Sequence, residues 1–348
     1  MTSRALPVLG WDIGGVNTKA VQVSPRDGAV PEFKSVSAAF EIQHDPAALT
    51  GILATLARRL GRAEGWAHAI TMTAELSQAF RTKREGVGAV LDAVAAAFPS
   101  DPVRVYTVDG QFLAPADARG RPLEVGASNW VATATLVARL APDAILVDIG
   151  TTSTDIIPIA GGRVAARGRT DPARLLSGEL VYTGAVRTPV EALVREVPLW
   201  GGQAAVSAEG FATAGDAHVW LGALPPEGYT PPTSDRRPAT REAAGERLAR
   251  VVCGDREMLD DEAIDRIARA VVEAQVDQVV RGLRQVQQAF PAARTAVVTG
   301  LGDFIATAAA RRAGLDVVSL SEHWGDAARV APAAAVGWLL TEHLGATR

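Results

Sequence analysis

The chain carries one short pattern twice, and that repetition limits what its 348 residues can fold into more than any other feature. Gly10–Lys19 reads Gly-Trp-Asp-Ile-Gly-Gly-Val-Asn-Thr-Lys, and Asp148–Asp155 reads Asp-Ile-Gly-Thr-Thr-Ser-Thr-Asp. Each follows a short apolar run, Val8-Leu9 or Ile145-Leu146-Val147, and leads into a second β-branched run, so each predicts two strands joined by a tight turn. At each turn an Asp ends the first strand, Gly lets the backbone come close to a ligand, and hydroxyl or N–H groups remain to hold anionic oxygens. Asp12 and Asp148 would then carry a hydrated Mg²⁺ rather than touch a phosphate, since two anions need a cation between them. Two such hairpins on one chain predict two related lobes.

The candidate anion contacts are Gly14, Gly15 and Asn17 at the first turn and Gly150, Thr151 and Thr152 at the second, while Thr154 reads as a strand residue. Lys19 lies seven positions after Asp12, an offset that puts it on the opposite strand face unless the turn resets the register. It therefore reads equally as a phosphate contact and as a solvent-facing lysine. For both aspartates the plain alternative is a turn-capping carboxylate, and the repeated context favours the metal and phosphate reading.

Length favours two domains over one. The net charge of −4, with no basic block, argues against nucleic acid or an anionic membrane as partner and for small-molecule chemistry. Cys253 is the single cysteine, which fits a reducing cytoplasm, and its helical surroundings predict burial. No apolar run approaches the ~20 residues of a membrane span, and the N-terminus lacks the form of a signal peptide. Five dispersed histidines, His44, His68, His218, His323 and His343, show no zinc-ligand spacing.

Along the chain, residues 30–40 predict a third strand after the turn Pro25–Gly28, and Asp45-Pro46 caps a helix with an apolar face of Leu49, Ile52, Leu53, Leu56 and Leu60. A buried strand, 67–72, ends in Thr73-Ala74-Glu75-Leu76-Ser77, where polar groups gather again. A helix opens at Lys83-Arg84-Glu85-Gly86, and another strand covers 103–108. Ser128 or Asn129 would cap a helix over 131–140 before the second hairpin. Beyond it, strands are expected at 151–159, 162–167 and 179–184, a proline-rich loop at 225–238, and a long amphipathic helix from Asp260 to about Phe290. A short strand at 296–299 then meets Gly300-Leu301-Gly302-Asp303 and a helix to Arg312. The closing helix, about 327–344, is rich in Ala and Gly, which permits close packing and suits a hinge.

Two Asp-bearing phosphate hairpins, a strand followed by Gly-x-Gly before a helix, and Ala-rich connecting helices together resemble the actin-like ATPase fold, also called ribonuclease H-like, an α/β fold of two lobes with a cleft between them. Residues 1–126 with 327–348 would form lobe I and 127–326 lobe II. Narrower matches are Gly10–Lys19, Thr71–Leu76, Thr82–Val87, Ser128-Asn129-Trp130, Asp148–Asp155, Gly178–Gly184 with Arg187-Thr188-Pro189, and Phe211-Ala212-Thr213. These resemble a hydantoinase/oxoprolinase-related group labelled as tetrahydromethanopterin-linked one-carbon transfer pathway proteins.

That resemblance implies a transferase of methanofuran or methylofuran synthesis, joining an aminomethyl-furanmethyl diphosphate to the phenol oxygen of a γ-glutamyl-tyramine or glutamyl-tyrosine compound. The furan oxygen stabilises positive charge on the exocyclic carbon, so the main task is to stabilise the departing diphosphate. A phenol of pKa about 10 needs a base or a partly formed cation to attack at neutral pH, and Glu75, at a strand end, is the candidate. Asn129, Glu179, Gly300, Gly302 and Asp303 are further candidates for substrate or nucleotide contact, and Trp130 for flanking the furan. Arg81, Lys83 and Arg84 read most simply as a solvated helix entrance. The sequence does not decide ATP binding or the phenolic co-substrate, and it is compatible with a homo-oligomer. An ATP-dependent small-molecule kinase and a non-catalytic actin-like regulator are the competing readings.

Overall fold

The computed structural model describes residues 7–26 and 29–346. Both ends of the chain, and Asp27 and Gly28 of the expected turn at Pro25–Gly28, lie outside that range. The chain divides into two compact units. The first runs to Pro142 and takes in Ile159–Asp171 and the chain from Ser319 onward; the second comprises Asp143–Pro158 and Pro172–Val318.

The first unit is built on a sheet of β1 (Val8–Ile13), β2 (Asn17–Ser24), β3 (Glu32–Ala39), β4 (Ala67–Met72), β5 (Val103–Tyr106) and β6 (Phe112–Leu113), in the order β3-β2-β1-β4-β5-β6. β1 pairs antiparallel with β2 and parallel with β4. It is buried along its whole length, so its two faces pack differently. Leu9, Trp11 and Ile13 join a core with the helices Leu49–Arg59 and Lys83–Ala97. Gly10 meets the closing helix, Ala331–Ala346: a Cβ there would lie 2.0 Å from Ala333 O and 2.7 Å from Gly337 N. Gly10 is thus a packing glycine, and the small residues of the closing helix bring it onto the strand that carries Asp12.

The second unit repeats this plan. Its strands are β7 (Ala144–Ile149), β8 (Thr154–Ala160), β10 (Leu180–Val181), β11 (Glu196–Leu199), β12 (Gly202–Ala205), β13 (Thr295–Gly300) and β14 (Asp316–Ser319), while β9 (Arg163–Val164), which pairs with the end of β8, falls in the Ile159–Asp171 segment of the first unit. The sheet order is β10-β8-β7-β13-β14, with β9 on β8 and a separate β11-β12 hairpin. Counting only the strands on the sheet path, both units place the third beside the second, then the first, fourth and fifth. Ile145, Val147 and Ile149 pack with the long helix Asp261–Ala289 and the helix Asp303–Arg312. A third cluster, around Trp220, Leu248 and Ile264, gathers the helices Val190–Leu193, Ala214–Trp220 and Arg241–Arg250 on the long helix.

Several expectations need correction. The strands expected at 162–167 and 179–184 shrink to two residues each, β9 and β10, because glycine turns and side-chain networks take over their backbone. The helix Asn129–Leu140 belongs to the first unit, moving the boundary from 126 to Pro142; Arg139 makes a bidentate ion pair with Glu342 of the closing helix. Ser128 stands at its N-cap position, but its hydroxyl donates to Tyr106 O instead of capping. Cys253 is exposed, in a turn with φ of 58°, where burial was expected.

Candidate functional site

The two hairpins close identically. Gly14 N donates to Asn17 O at 3.0 Å, and Gly150 N donates to Ser153 O at 3.0 Å. In each, the aspartate two residues earlier is buried while the turn remains partly exposed, so a carboxylate sits just beneath an accessible loop. Each turn also has its carbonyls occupied. Ile42 N and Phe40 N donate to Gly15 O and Val16 O; Ala185 N donates to Gly150 O, and Val186 N and Arg187 N both donate to Thr151 O. In a trans peptide the C=O and the following N–H point opposite ways. The N–H groups of Val16 and Asn17, and of Thr151 and Thr152, are therefore directed away from these buttressing segments, an arrangement suited to anions.

Around Asp12 the strand register decides what the sequence left open. Asp12 and Lys19 are direct cross-strand partners, and Lys19 Nζ donates to Asp12 Oδ2 at 3.2 Å. The odd offset misleads because three of the intervening positions form the turn, so opposite residues of the two strands share a face. Asp12 Oδ1 is buried with no hydrogen-bond partner among the described residues. At the second hairpin the position seven residues on is Asp155, which accepts from buried Arg174 at 2.5 Å. The two hairpins thus share geometry and differ in charge. Thr154 donates to Thr183 O, fitting its reading as a strand residue.

Gly300 and Gly302 are shaped by the second hairpin itself. Gly300 has φ of 93°, and a Cβ there would lie 2.4 Å from both Asp148 Oδ1 and Ile149 O. Gly302 N donates to Ile149 O at 2.9 Å, and a Cβ on it would meet Ile149 Cγ2 at 2.5 Å. Packing alone accounts for both glycines. Asp303 begins the next helix and is partly buried, as is Asn129 at the start of its own. Glu179 and Trp130 are buried.

Glu75 lies in a short 3-10 turn, Ala74–Leu76, directly after β4, and is 1% exposed. Lys83, the first residue of its helix, places Nζ 3.3 Å from Glu75 Oε1 and 2.7 Å from Asp171 Oδ2. The helix starts there because Thr82 Oγ1 accepts from Glu85 N. Arg81 and Arg84 are exposed, as a solvated entrance requires, but Lys83 is not. Two glycines make room for this cluster. A Cβ on Gly86 would lie 2.4 Å from Glu75 O, and one on Gly126 3.0 Å from Glu75 Oε1. Burial raises the Glu75 pKa to about 7 against the lowering effect of Lys83. For Lys83, burial alone would lower the pKa; Glu75 and Asp171 outweigh it and the net shift is upward. Glu75 Oε2 is buried and has no partner among the described residues. Sequence reasoning missed the Lys83 and Asp171 contacts; the one signal was an acidic strand end followed eight residues later by a lysine opening a helix.

Among the described residues, no three His, Cys, Asp or Glu side chains converge on a point that could hold a metal, and no helix is long and apolar enough to cross a membrane.

The hydantoinase/oxoprolinase family model matches residues 67–343. The chain belongs to the hydantoinase/oxoprolinase family. It is 34% identical over 339 residues, 97% of this chain and 98% of the relative, to (4-{4-[2-(γ-L-glutamylamino)ethyl]phenoxymethyl}furan-2-yl)methanamine synthase of Methanocaldococcus jannaschii. A protein of the same name from Methanococcus vannielii is 31% identical over 207 residues, 58% of this chain and 92% of that protein. Among solved structures, nucleotide-free acetone carboxylase superposes with a TM-score of 0.59 at 14% identity, covering 97% of this chain and 70% of that one. That likeness gives the family member its fold, the two-lobed actin-like ATPase fold that the repeated hairpins predict.

Proposed function

We propose that this hydantoinase/oxoprolinase family member is a transferase of methanofuran or methylofuran synthesis that forms an aryl ether by displacing diphosphate. The observation that carries the reading is the 34% identity to the synthase of Methanocaldococcus jannaschii, spread over 97% of the chain. In the reaction, the bond between the furan-bearing methylene and the diphosphate oxygen breaks, its electron pair leaving with diphosphate. The phenol oxygen bonds to that methylene, and the phenolic proton passes to Glu75.

The geometry supports each role separately. The amides of Val16, Asn17, Thr151 and Thr152 offer donors to anionic oxygens, with the hydroxyls of Thr151 and Thr152 beside them. Lys19, held by Asp12, supplies a cation at the first turn. Fixed donors aimed at a leaving group favour the transition state because they need no reorganisation as charge develops. A carboxyl raised to about 7 is divided between its acid and base forms near neutral pH, as a general base should be.

The residues also fit Mg²⁺. This ion keeps several waters and is held through one or two carboxylates together with substrate phosphates, not by a protein cage. Asp12 Oδ1, buried with no hydrogen-bond partner among the described residues, matches that demand. Asp12 and Asp148 would each hold hydrated Mg²⁺ through water. When bound, the metal would offset charge on the diphosphate.

The test is to mix the protein, Mg²⁺ and the furanmethyl diphosphate with γ-glutamyl-tyramine or glutamyl-tyrosine, and to follow ether by mass spectrometry and diphosphate by an enzymatic assay. Equal amounts of both products are expected with one of the two phenols. No ether with either phenol would overturn the reading.

A further inference from the structure

One of the hydrogen bonds from the segment that follows β10 to the second hairpin runs through the Gly184–Ala185 peptide, and the other end of that peptide is held by a buried glutamine. Ala185 N donates to Gly150 O at 2.9 Å. The carbonyl of the same peptide, Gly184 O, accepts from Gln275 Nε2 at 2.8 Å. Gln275 lies on the long helix and is fully buried. Its Nε2 also donates to Thr183 Oγ1 at 2.9 Å. Gly184 N in turn donates to Thr188 Oγ1 at 3.1 Å. Both sides of Gly184 are therefore pinned.

The amide orientation of Gln275 is itself set. Gln275 Oε1 lies 2.7 Å from His218 Nε2. His218 Nδ1 is buried with no partner among the described residues, so the ring proton belongs on Nε2, where it donates to Gln275 Oε1. Burial lowers the His218 pKa to about 4, so the ring stays neutral and keeps this single donor at physiological pH. With Oε1 so occupied, Nε2 must face Thr183 and Gly184.

Two successive trans peptides then pass orientation to the turn. Gln275 fixes the Gly184 carbonyl, which fixes the Ala185 N–H; that N–H fixes the Gly150 carbonyl, which directs the Thr151 N–H the opposite way. No side chain intervenes at Gly184, and none could: a Cβ there would lie 2.5 Å from Thr152 N.

We propose that Gln275 is a positioning residue for the anion-binding turn Gly150–Thr152, aiming the Thr151 amide at diphosphate through the Gly184–Ala185 peptide. This rests on the reading above that the turn holds diphosphate. A glutamine buried only to fill and satisfy the core would affect stability alone; a positioning glutamine also affects the ligand.

The experiment measures binding of inorganic diphosphate with Mg²⁺ by calorimetry, well below each variant's melting temperature, beside amide hydrogen exchange at Thr151 and Thr152. Wild type is compared with Gln275→Met and with the double variant Thr151→Ala, Thr152→Ala. Gln275→Met should weaken diphosphate about three- to tenfold, the worth of roughly one hydrogen bond, and speed exchange at the Thr151 amide more than at Thr152, whose peptide carbonyl is held by Val186 N and Arg187 N. Gln275→Glu, which keeps the acceptor to His218 and loses the donor to Gly184 O, should do the same and stands in if Gln275→Met fails to fold. Diphosphate affinity and exchange equal to wild type in a folded Gln275 variant, while the double threonine variant is weakened, would overturn the role of Gln275 and leave the diphosphate reading standing. Failure of wild type to bind would overturn the diphosphate reading and the inference with it.

Discussion

Glu75 has the environment on which rate and stability should depend in opposite directions. Its carboxyl is raised from 4.5 to about 7 because burial disfavours the charged form more than Lys83 favours it. The folded protein therefore holds this proton more tightly than the unfolded chain, so stability falls as pH rises from about 4.5 to 7, by roughly 3 kcal/mol. As the proposed base, Glu75 would act in its ionised form, so turnover should rise over the upper part of that window with an inflection near pH 7. Glu75→Gln should remove both trends: urea unfolding at pH 5 and pH 8 should give closer stabilities than in wild type, and turnover should fall ~100-fold or more, the scale of general-base catalysis, with diphosphate affinity kept. Equal loss of diphosphate affinity would remove Glu75 from the base role. Lys83→Met takes away the neighbouring cation that lowers the Glu75 pKa, so its pH–rate inflection should move to higher pH, whereas Lys83→Arg should keep it closer to wild type. An unmoved inflection in Lys83→Met would show that Glu75 does not set the profile.

At the scale of elements, glycine positions separate packing from conformation. Gly314 has φ of 77° with nothing near its Cβ position, whereas Gly300 has φ of 93° with Asp148 Oδ1 2.4 Å from that position. Alanine at either should cost about 1 kcal/mol for the left-handed backbone, but only Gly300→Ala should also displace Asp148 and lose most activity. Equilibrium unfolding and turnover of the two variants together decide this. Gly10→Ala should destabilise by about 3 kcal/mol, because its methyl group meets backbone of the closing helix, which cannot move like a side chain. Much of this level is legible in the sequence. The hairpin strands, the helix capped at Asp260 and the strand 67–72 all follow from short-range pattern and capping. Lys19 was less legible because its face depends on which residues the turn consumes. Lys83 read as solvated because its partners, Glu75 and Asp171, come from separate segments that only the tertiary fold joins. The spacing of Gly300 and Gly302 is visible in the sequence, but not their contact with Asp148 and Ile149.

For the whole molecule, each unit carries the same sheet order around a hairpin that ends its first strand in aspartate, yet seven residues beyond that aspartate stands a lysine, Lys19, in the first and an aspartate, Asp155, in the second. Likeness of fold alone would fit phosphoryl transfer equally well; it is the near full-length similarity to the methanamine synthase of Methanocaldococcus jannaschii that points to carbon–oxygen chemistry. The two chemistries break different bonds in the same ester. Displacement cleaves the bond between the methylene carbon and the bridging oxygen, whereas phosphoryl transfer cleaves a bond to phosphorus. Turnover of a furanmethyl diphosphate carrying ¹⁸O in the bridging position, followed by mass spectrometry of both products, therefore tests the central claim most directly. Displacement predicts all of the label in the released diphosphate and unlabelled ether; label retained on the furan product would contradict it.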